Sequence, residues 1–334
     1  MKTAIPHEEG FFPAKDNLRL YWQSYLPTDP RAEVGFIHGY GDHSGRWTEF
    51  LELLASRGFA VHAFDYRGHG QADGRRGHVD AFDEYLDDLE LFLGRIEARR
   101  AGRKLFLVGH SHGGLMLARY LESRWHGGGA EGGADEKKGI SAHAKPEAEP
   151  RKSATAGTAA EEVGPARAGP ASSLALSAAV FSSPYLRLAF EPPWLKVQAA
   201  LLIGKVVPWL PVSGKLPTEL LSQDPAWQEA SDRDPLYGHT TTPRWFTEST
   251  SAQAKARAEA SKITLPSLVQ VPECDGIADP ATGEAFFRDL GASDKELVVY
   301  PGGRHELYHE LAETKMKSMD DAAAFLERHL GGGA

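Results

Sequence analysis

The chain has 334 residues, 41% hydrophobic and 25% charged, which is ordinary globular composition with room for one α/β domain carrying an insertion, or for two small domains. A net charge of −9 without a basic block argues against nucleic-acid binding, and the single cysteine, Cys274, excludes an internal disulfide and any cysteine-based metal cage. Met1–Gly10 lacks the apolar core of a signal peptide, so the expectation is a soluble, cytoplasmic protein.

In chain order, β-type runs alternate with helix-type runs, the pattern of a mostly parallel α/β sheet. Strands are predicted at Leu18–Tyr25, Glu33–Ile37 and Ala60–Phe64, with a helix over Trp47–Arg57 that stops at Gly58. Phe82–Arg100 carries apolar residues at helical spacing, and its acidic first half suits a helix N-terminus. The apolar run Leu105–Val108 reads as a buried strand, followed by a turn and a helix from Gly113 to Ser123.

From Gly127 to Ser172 the residues are mostly Gly, Ala, Glu, Lys, Pro and Ser. Such a stretch cannot bury enough surface to offset its ordering entropy and is expected to be a flexible insertion, with a docking tail as the alternative. Strands resume at Leu174–Phe181, Leu268–Val271 and Leu297–Tyr300, and Lys317–His329 is the closing helix. Residues 184–250 break the alternation and are rich in Pro and Trp. They are assigned to a helical cap over the sheet, which divides the chain into a core at 1–183, the cap, and a second part of the core at 251–334. Within the cap, Trp194–Val207 is apolar on most sides, its only charges being Lys196 and Lys205. It is either buried, lining an apolar pocket, or touching lipid, and the longer stretch to Leu210, broken also by Pro208, is too short to span a bilayer comfortably.

Gly109-His110-Ser111-His112-Gly113 is a G-x-S-x-G turn between an apolar strand and a helix. That context, more than the motif, points to a nucleophile elbow. Only small residues fit beside so tight a turn, and it presents the Ser111 hydroxyl at a helix N-terminus. A serine needs a base to take its proton, and the base needs a carboxylate to orient it. In the order Ser, acid, His, the candidates are Asp275, just beyond the strand ending at Val271, and His305, just beyond the strand ending at Tyr300. Asp279 competes for the acid and His309 for the base. His110 and His112 flank the serine, and their side chains are expected to pack locally, away from the hydroxyl. The oxyanion donors are expected to be the backbone N–H of His112 and that of Tyr40, in the turn His38-Gly39-Tyr40-Gly41.

With those motifs in place, His38-Gly39-Tyr40-Gly41-Asp42-His43-Ser44, Asp65-Tyr66-Arg67-Gly68-His69-Gly70 and the elbow resemble the monoacylglycerol lipase and lysophospholipase branch of the α/β-hydrolases. Gly74-Arg75-Arg76-Gly77-His78-Val79 and Asp234-Pro235-Leu236 fit the same pattern, and the resemblance covers nearly the whole chain outside 127–172. It implies the α/β-hydrolase fold with a cap that binds an acyl chain. It also implies Ser111, Asp275 and His305 as triad, and Tyr40 and His112 as oxyanion donors. The chain departs from the family at His112, where Met is usual, and at Pro272, where Gly is usual.

The expected activity is hydrolysis of a lipid-like ester through an acyl-enzyme, with no metal or cofactor and with peripheral membrane contact through the cap. Cleavage of a thioester, peptide or carbon–carbon bond on the same machinery is the alternative, and a non-catalytic binding protein on this scaffold is a more distant one.

Overall fold

Each central strand divides its apolar residues between two faces. Phe106 and Val108 point one way from the strand Leu105–His110, Leu107 points the other, and both faces are buried. A strand covered on both sides reads as a continuous apolar run rather than an alternation. The computed structural model describes residues 5–127, 174–191, 198, 203–204 and 206–331. The stretch predicted to be flexible, 127–172, lies outside these but for its first residue, as does most of Trp194–Val207.

Eight strands form one sheet: β1 (His7–Pro13), β2 (Arg19–Tyr25), β3 (Ala32–Ile37), β4 (Phe59–Asp65), β5 (Leu105–His110), β6 (Leu176–Ser182), β9 (Ser267–Pro272) and β10 (Lys295–Tyr300). Their spatial order is β1-β2-β4-β3-β5-β6-β9-β10. β1 and β2 pair antiparallel, β2 joins β4 antiparallel, and every pairing from β4 to β10 is parallel. The mostly parallel α/β sheet read from the sequence is therefore the observed one, and each expected strand lies close to its predicted place.

Helices α2 (Asp83–Arg99) and α3 (His112–Ser123) cover one face, while α1 (Thr48–Ser56) and the last helix, Ala312–Arg328, cover the other. The chain order turns back at β3 and β5, so the loops leaving their carboxyl ends diverge and open a crevice there. Ser111 follows β5 and Tyr40 follows β3. Topology alone thus makes them neighbours.

Between β6 and β9 the chain leaves the sheet. This segment contains the short strand pair β7 (Val212–Ser213) and β8 (Thr240–Thr241), helix α4 (Pro225–Arg233) and helix α5 (Pro243–Glu259). Asp224 and Thr242 cap α4 and α5 through their side chains, each with proline at the first helical position. Helix α5 is continuous through residue 250, where the sequence pattern drew the end of the cap. It packs on α3 through Trp245, Ala252 and Ala256. Two elements were not predicted from the sequence: β1, most of whose side chains face solvent, and α6 (Pro280–Asp289), which follows the β9 loop and opens on an Asp279-Pro280 cap. Among the described residues no helix is long and apolar enough to cross a membrane.

Candidate active site

Ser111 sits at φ 52°, ψ −117°, a conformation that non-glycine residues rarely adopt. The turn persists because its neighbours leave no alternative. A Cβ on Gly109 would come within 2.6 Å of the Gly113 carbonyl oxygen, and one on Gly113 within 2.2 Å of the Ile37 oxygen. The strained turn lifts the Ser111 hydroxyl to the N-terminus of α3, whose first N–H groups have no partner within the helix.

His305 Nε2 lies 2.7 Å from Ser111 Oγ, and His305 Nδ1 lies 2.8 Å from Asp275 Oδ2. A carboxylate has no proton to give, so Nδ1–H donates to Asp275 and Nε2 is left to accept from the serine. The other Asp275 oxygen accepts from the N–H groups of Ile277 and Ala278 at 2.8 and 2.9 Å, which fixes the carboxylate. The loop that holds it starts at Pro272 and is tied down by Glu273 and Cys274 N–H bonds to the Tyr300 and Gly303 carbonyls.

The competing residues are engaged elsewhere. Asp279 caps α6, accepting from the Ala281 N–H and the Thr282 hydroxyl. His309 directs Nδ1 to Glu306 and Nε2 to the Arg46 carbonyl, so neither nitrogen is available to a serine. His110 packs locally, as expected. Its ring packs between Trp47 and the His305 ring, at centroid distances of 4.7 and 5.1 Å, and burial next to His305 holds it well below the usual histidine range. His112 is fully buried among Tyr40, Tyr66, Phe82, Tyr85 and Trp245, and burial pushes its imidazole down to about 3. Its side chain is a neutral packing group.

The turn carrying Tyr40 lies directly over the serine, since a Cβ on Gly39 would come within 3.3 Å of Ser111 Cβ. Tyr40 follows Gly39 in that turn after β3, and His112 follows Ser111 as the first residue of α3. Both residues come from the pattern read in the sequence.

Sequence reasoning missed a second layer. Arg46 is buried between the rings of Trp227 and Tyr237 and donates to Asp42 at 2.9 Å, Ser231 at 2.7 Å and Glu306 at 3.3 Å. Glu306 also accepts from Trp227 Nε1 and His309 Nδ1, both at 2.8 Å. Burial works against the ionised Glu306, but Arg46 and His309 hold it well below the usual carboxylate range. For His305, burial favours the neutral ring, yet Asp275, followed by Glu306 and Asp42, raises it above its ordinary value. The available signal was that Asp42 lies within the His38–Ser44 motif and Arg46 just after it. Their partners lie in segments far along the chain.

Ser111 and His305 open into a cavity of about 620 Å³. Its walls are mainly apolar, with Tyr185, Leu188, Trp245, Phe246 and Ile277 among them, while Asp42 and Glu306 mark a polar end. Its outer lining includes Phe190, Ile203, Leu210 and Val212, which are well exposed, and Val206 and Trp209 next to them in sequence are exposed too. Among the described residues no group of three or more His, Cys, Asp or Glu is placed to hold a metal.

The chain is similar to known proteins along most of its length. The family model described as "Serine aminopeptidase, S33" matches residues 28–128 and 164–312. A monoacylglycerol lipase of Mycolicibacterium smegmatis is 25% identical over 324 residues, covering 96% of this chain and 98% of its own. Among solved structures, the monoacylglycerol lipase of Paleococcus ferrophilus superposes with a TM-score of 0.70 at 25% identity, covering 97% of this chain and all of that one. A soluble variant of the Saccharomyces cerevisiae monoglyceride lipase, in complex with a substrate analogue, gives 0.74 at 22% identity, covering 98% and 97%.

Proposed function

Because the chain belongs to the serine aminopeptidase S33 family of α/β-hydrolases, we propose that it is a serine ester hydrolase acting on lipid-like esters, monoacylglycerols first among them. The observation that carries this reading is the hydrogen-bonded chain Asp275–His305–Ser111 at the base of a mainly apolar cavity. The monoacylglycerol lipases among its relatives support it.

In this reading His305 Nε2 takes the Ser111 proton as Oγ bonds to the ester carbonyl carbon. The carbonyl electron pair moves onto oxygen, held by the Tyr40 and His112 N–H groups. The oxyanion collapses, and the alcohol leaves with the proton from His305. Water then attacks the acyl-enzyme, giving its proton to His305, and the second oxyanion collapses with Ser111 Oγ leaving and taking that proton back as the acid is released. The acyl chain occupies the apolar part of the cavity and the alcohol lies toward Asp42 and Glu306.

The family's description raises the possibility of aminopeptidase chemistry, which needs an acidic group to hold the substrate's amino terminus. The two carboxylates lining the cavity, Asp42 and Glu306, are both already paired with Arg46. That favours a neutral alcohol over an ammonium group.

We assign residues 184–250 to a cap over the cavity, flanked by core segments 1–183 and 251–334. The exposed apolar residues at the mouth, Val206 and Trp209 among them, are the proposed contact with a lipid surface, in a protein that is otherwise cytoplasmic. The test is turnover of a panel of monoacylglycerols, lysophospholipids, p-nitrophenyl esters and aminoacyl amides, with fluorophosphonate labelling mapped by mass spectrometry. Labelling at Ser111 with turnover of long-chain esters is expected. Turnover of the amides alone would overturn the proposal.

A further inference from the structure

Two motifs far from the nucleophile, Gly74–Val79 and Asp234–Leu236, take no part in the chemistry above, yet both converge on the turn that carries Tyr40. We propose that they form a latch that positions the Tyr40 N–H at Ser111, with the Tyr40 hydroxyl as its crosspiece. The inference rests on Ser111 being the nucleophile.

The latch has two sides. On one, the Tyr40 hydroxyl reaches two carbonyl oxygens from separate segments, Thr240 at 2.9 Å and Gly77 at 3.2 Å. It has one proton, so the shorter bond to Thr240 dominates. The phenol ring packs against Trp245 with centroids 3.7 Å apart and the planes tilted by 31°. Gly77 allows this approach, because a Cβ there would fall 1.9 Å from the Thr240 oxygen and 2.6 Å from the Tyr40 hydroxyl. Thr242, the cap of α5, closes the same corner by donating to the Gly77 carbonyl at 3.2 Å.

On the other side, Asp234 accepts from His43 Nε2 at 2.8 Å and from the Leu236 N–H at 2.8 Å, folding its own segment back. That fold brings the Gly238 N–H to the Gly41 carbonyl. Gly41 has φ +71°, and a Cβ there would come within 2.7 Å of the Gly238 oxygen. The donor turn is therefore held at both ends by the segment Asp234–Trp245, and its glycines are required by the closeness of that grip.

A backbone donor is effective only if it already stands where the oxyanion will form, because moving it during the reaction adds to the barrier. Tyr40 is therefore a positioning residue through its side chain as well as a donor through its main chain. Loosening the latch penalises the transition state more than the bound ester.

The experiment compares Tyr40→Phe, which keeps ring and volume, and Asp234→Asn, which weakens the second grip, with the wild-type chain. For Tyr40→Phe, kcat falls about tenfold with KM within twofold, and affinity for an alkyl boronic acid, which forms a tetrahedral adduct on the serine, falls in step. Asp234→Asn falls about threefold in the same pattern. Saturating fluorophosphonate labelling stays at one per chain in all three. Amide hydrogen exchange of residues 39–44 speeds up in both variants while the β5 amides are unchanged. A Tyr40→Phe enzyme with wild-type kcat overturns the latch. If the wild-type chain neither labels nor turns over esters, the fault lies with the proposed function, and unchanged exchange at 39–44 then overturns the latch independently.

Discussion

Asp275 and Asp279, neighbours in one short loop, are committed to different tasks. The first holds His305 Nδ1 at 2.8 Å, and the second caps helix α6. Asp275→Asn preserves shape but lets the amide donate to Nδ1, which turns the imidazole to the wrong tautomer. kcat is expected to fall about 10⁴-fold. Asp279→Ala removes only a cap, lowering stability by about 1 kcal/mol while kcat stays within a factor of about three. Steady-state kinetics beside thermal melts distinguish the two, and the reverse ranking would reassign the acid.

Ser111 stores backbone strain that function requires and folding does not. Ser111→Ala is expected to lose about 10⁵-fold or more in kcat without losing the fold. Ser111→Gly is equally inactive but melts above Ser111→Ala, because glycine tolerates φ 52° at little steric cost. The gain is roughly 1 kcal/mol, a degree or two in Tm for a chain of this size. Calorimetry on the two inactive variants is the check, and a lower Tm for the glycine variant would show the turn to be unstrained.

The pH profile should report His305. The ring must be neutral to accept the serine proton, and Asp275, Glu306 and Asp42 outweigh burial in raising it above the ordinary 6.5. Activity is therefore lost on the acid side along a limb of kcat/KM centred above 6.5. Glu306→Gln removes one acidic neighbour and shifts that limb to lower pH. A limb centred below 6.5 in the wild-type chain would contradict the assignment.

Acid stability should depend on the neutral histidines beside the site. Burial lowers His38, His69, His110 and His112, the last from 6.5 to about 3. As pH falls below 6.5, the unfolded chain takes up protons on these rings while the folded chain does not. Stability therefore falls with falling pH, by up to about 1.4 kcal/mol per pH unit for each ring, until the folded-state value is passed. His112→Met removes one such group. Its stability relative to wild type is expected to rise between pH 7 and pH 5 in denaturant titrations, and a pH-independent difference would count against a neutral His112.

Much of this was legible early for a physical reason. The elbow at Gly109–Gly113 is a local event: a buried strand, a turn too tight for side chains and a helix start, all within one short run of residues. The strands β3, β4 and β5 are buried throughout and mostly apolar because the sheet is covered on both faces. Strand β1 escaped notice for the opposite reason, since an edge strand with mostly exposed side chains has no periodicity to read.

The order of Ser111, Asp275 and His305 along the chain, with each after a strand, was enough to nominate the three. It favoured Asp275 over Asp279 and His305 over His309 by position alone, because each member of a pair has the same chemistry and nearly the same place. That choice is made by contacts closed between distant segments: Asp279 turning to its helix, and His309 held by Glu306 and the Arg46 carbonyl. The pairing of Arg46 with Glu306, and the grip of residues 234–245 on the Tyr40 turn, belong to the same class. Periodicity and turn chemistry act over a few residues and leave their mark in the sequence. Which charge meets which partner depends on how the sheet and its insertion close in space, and only the folded chain decides it.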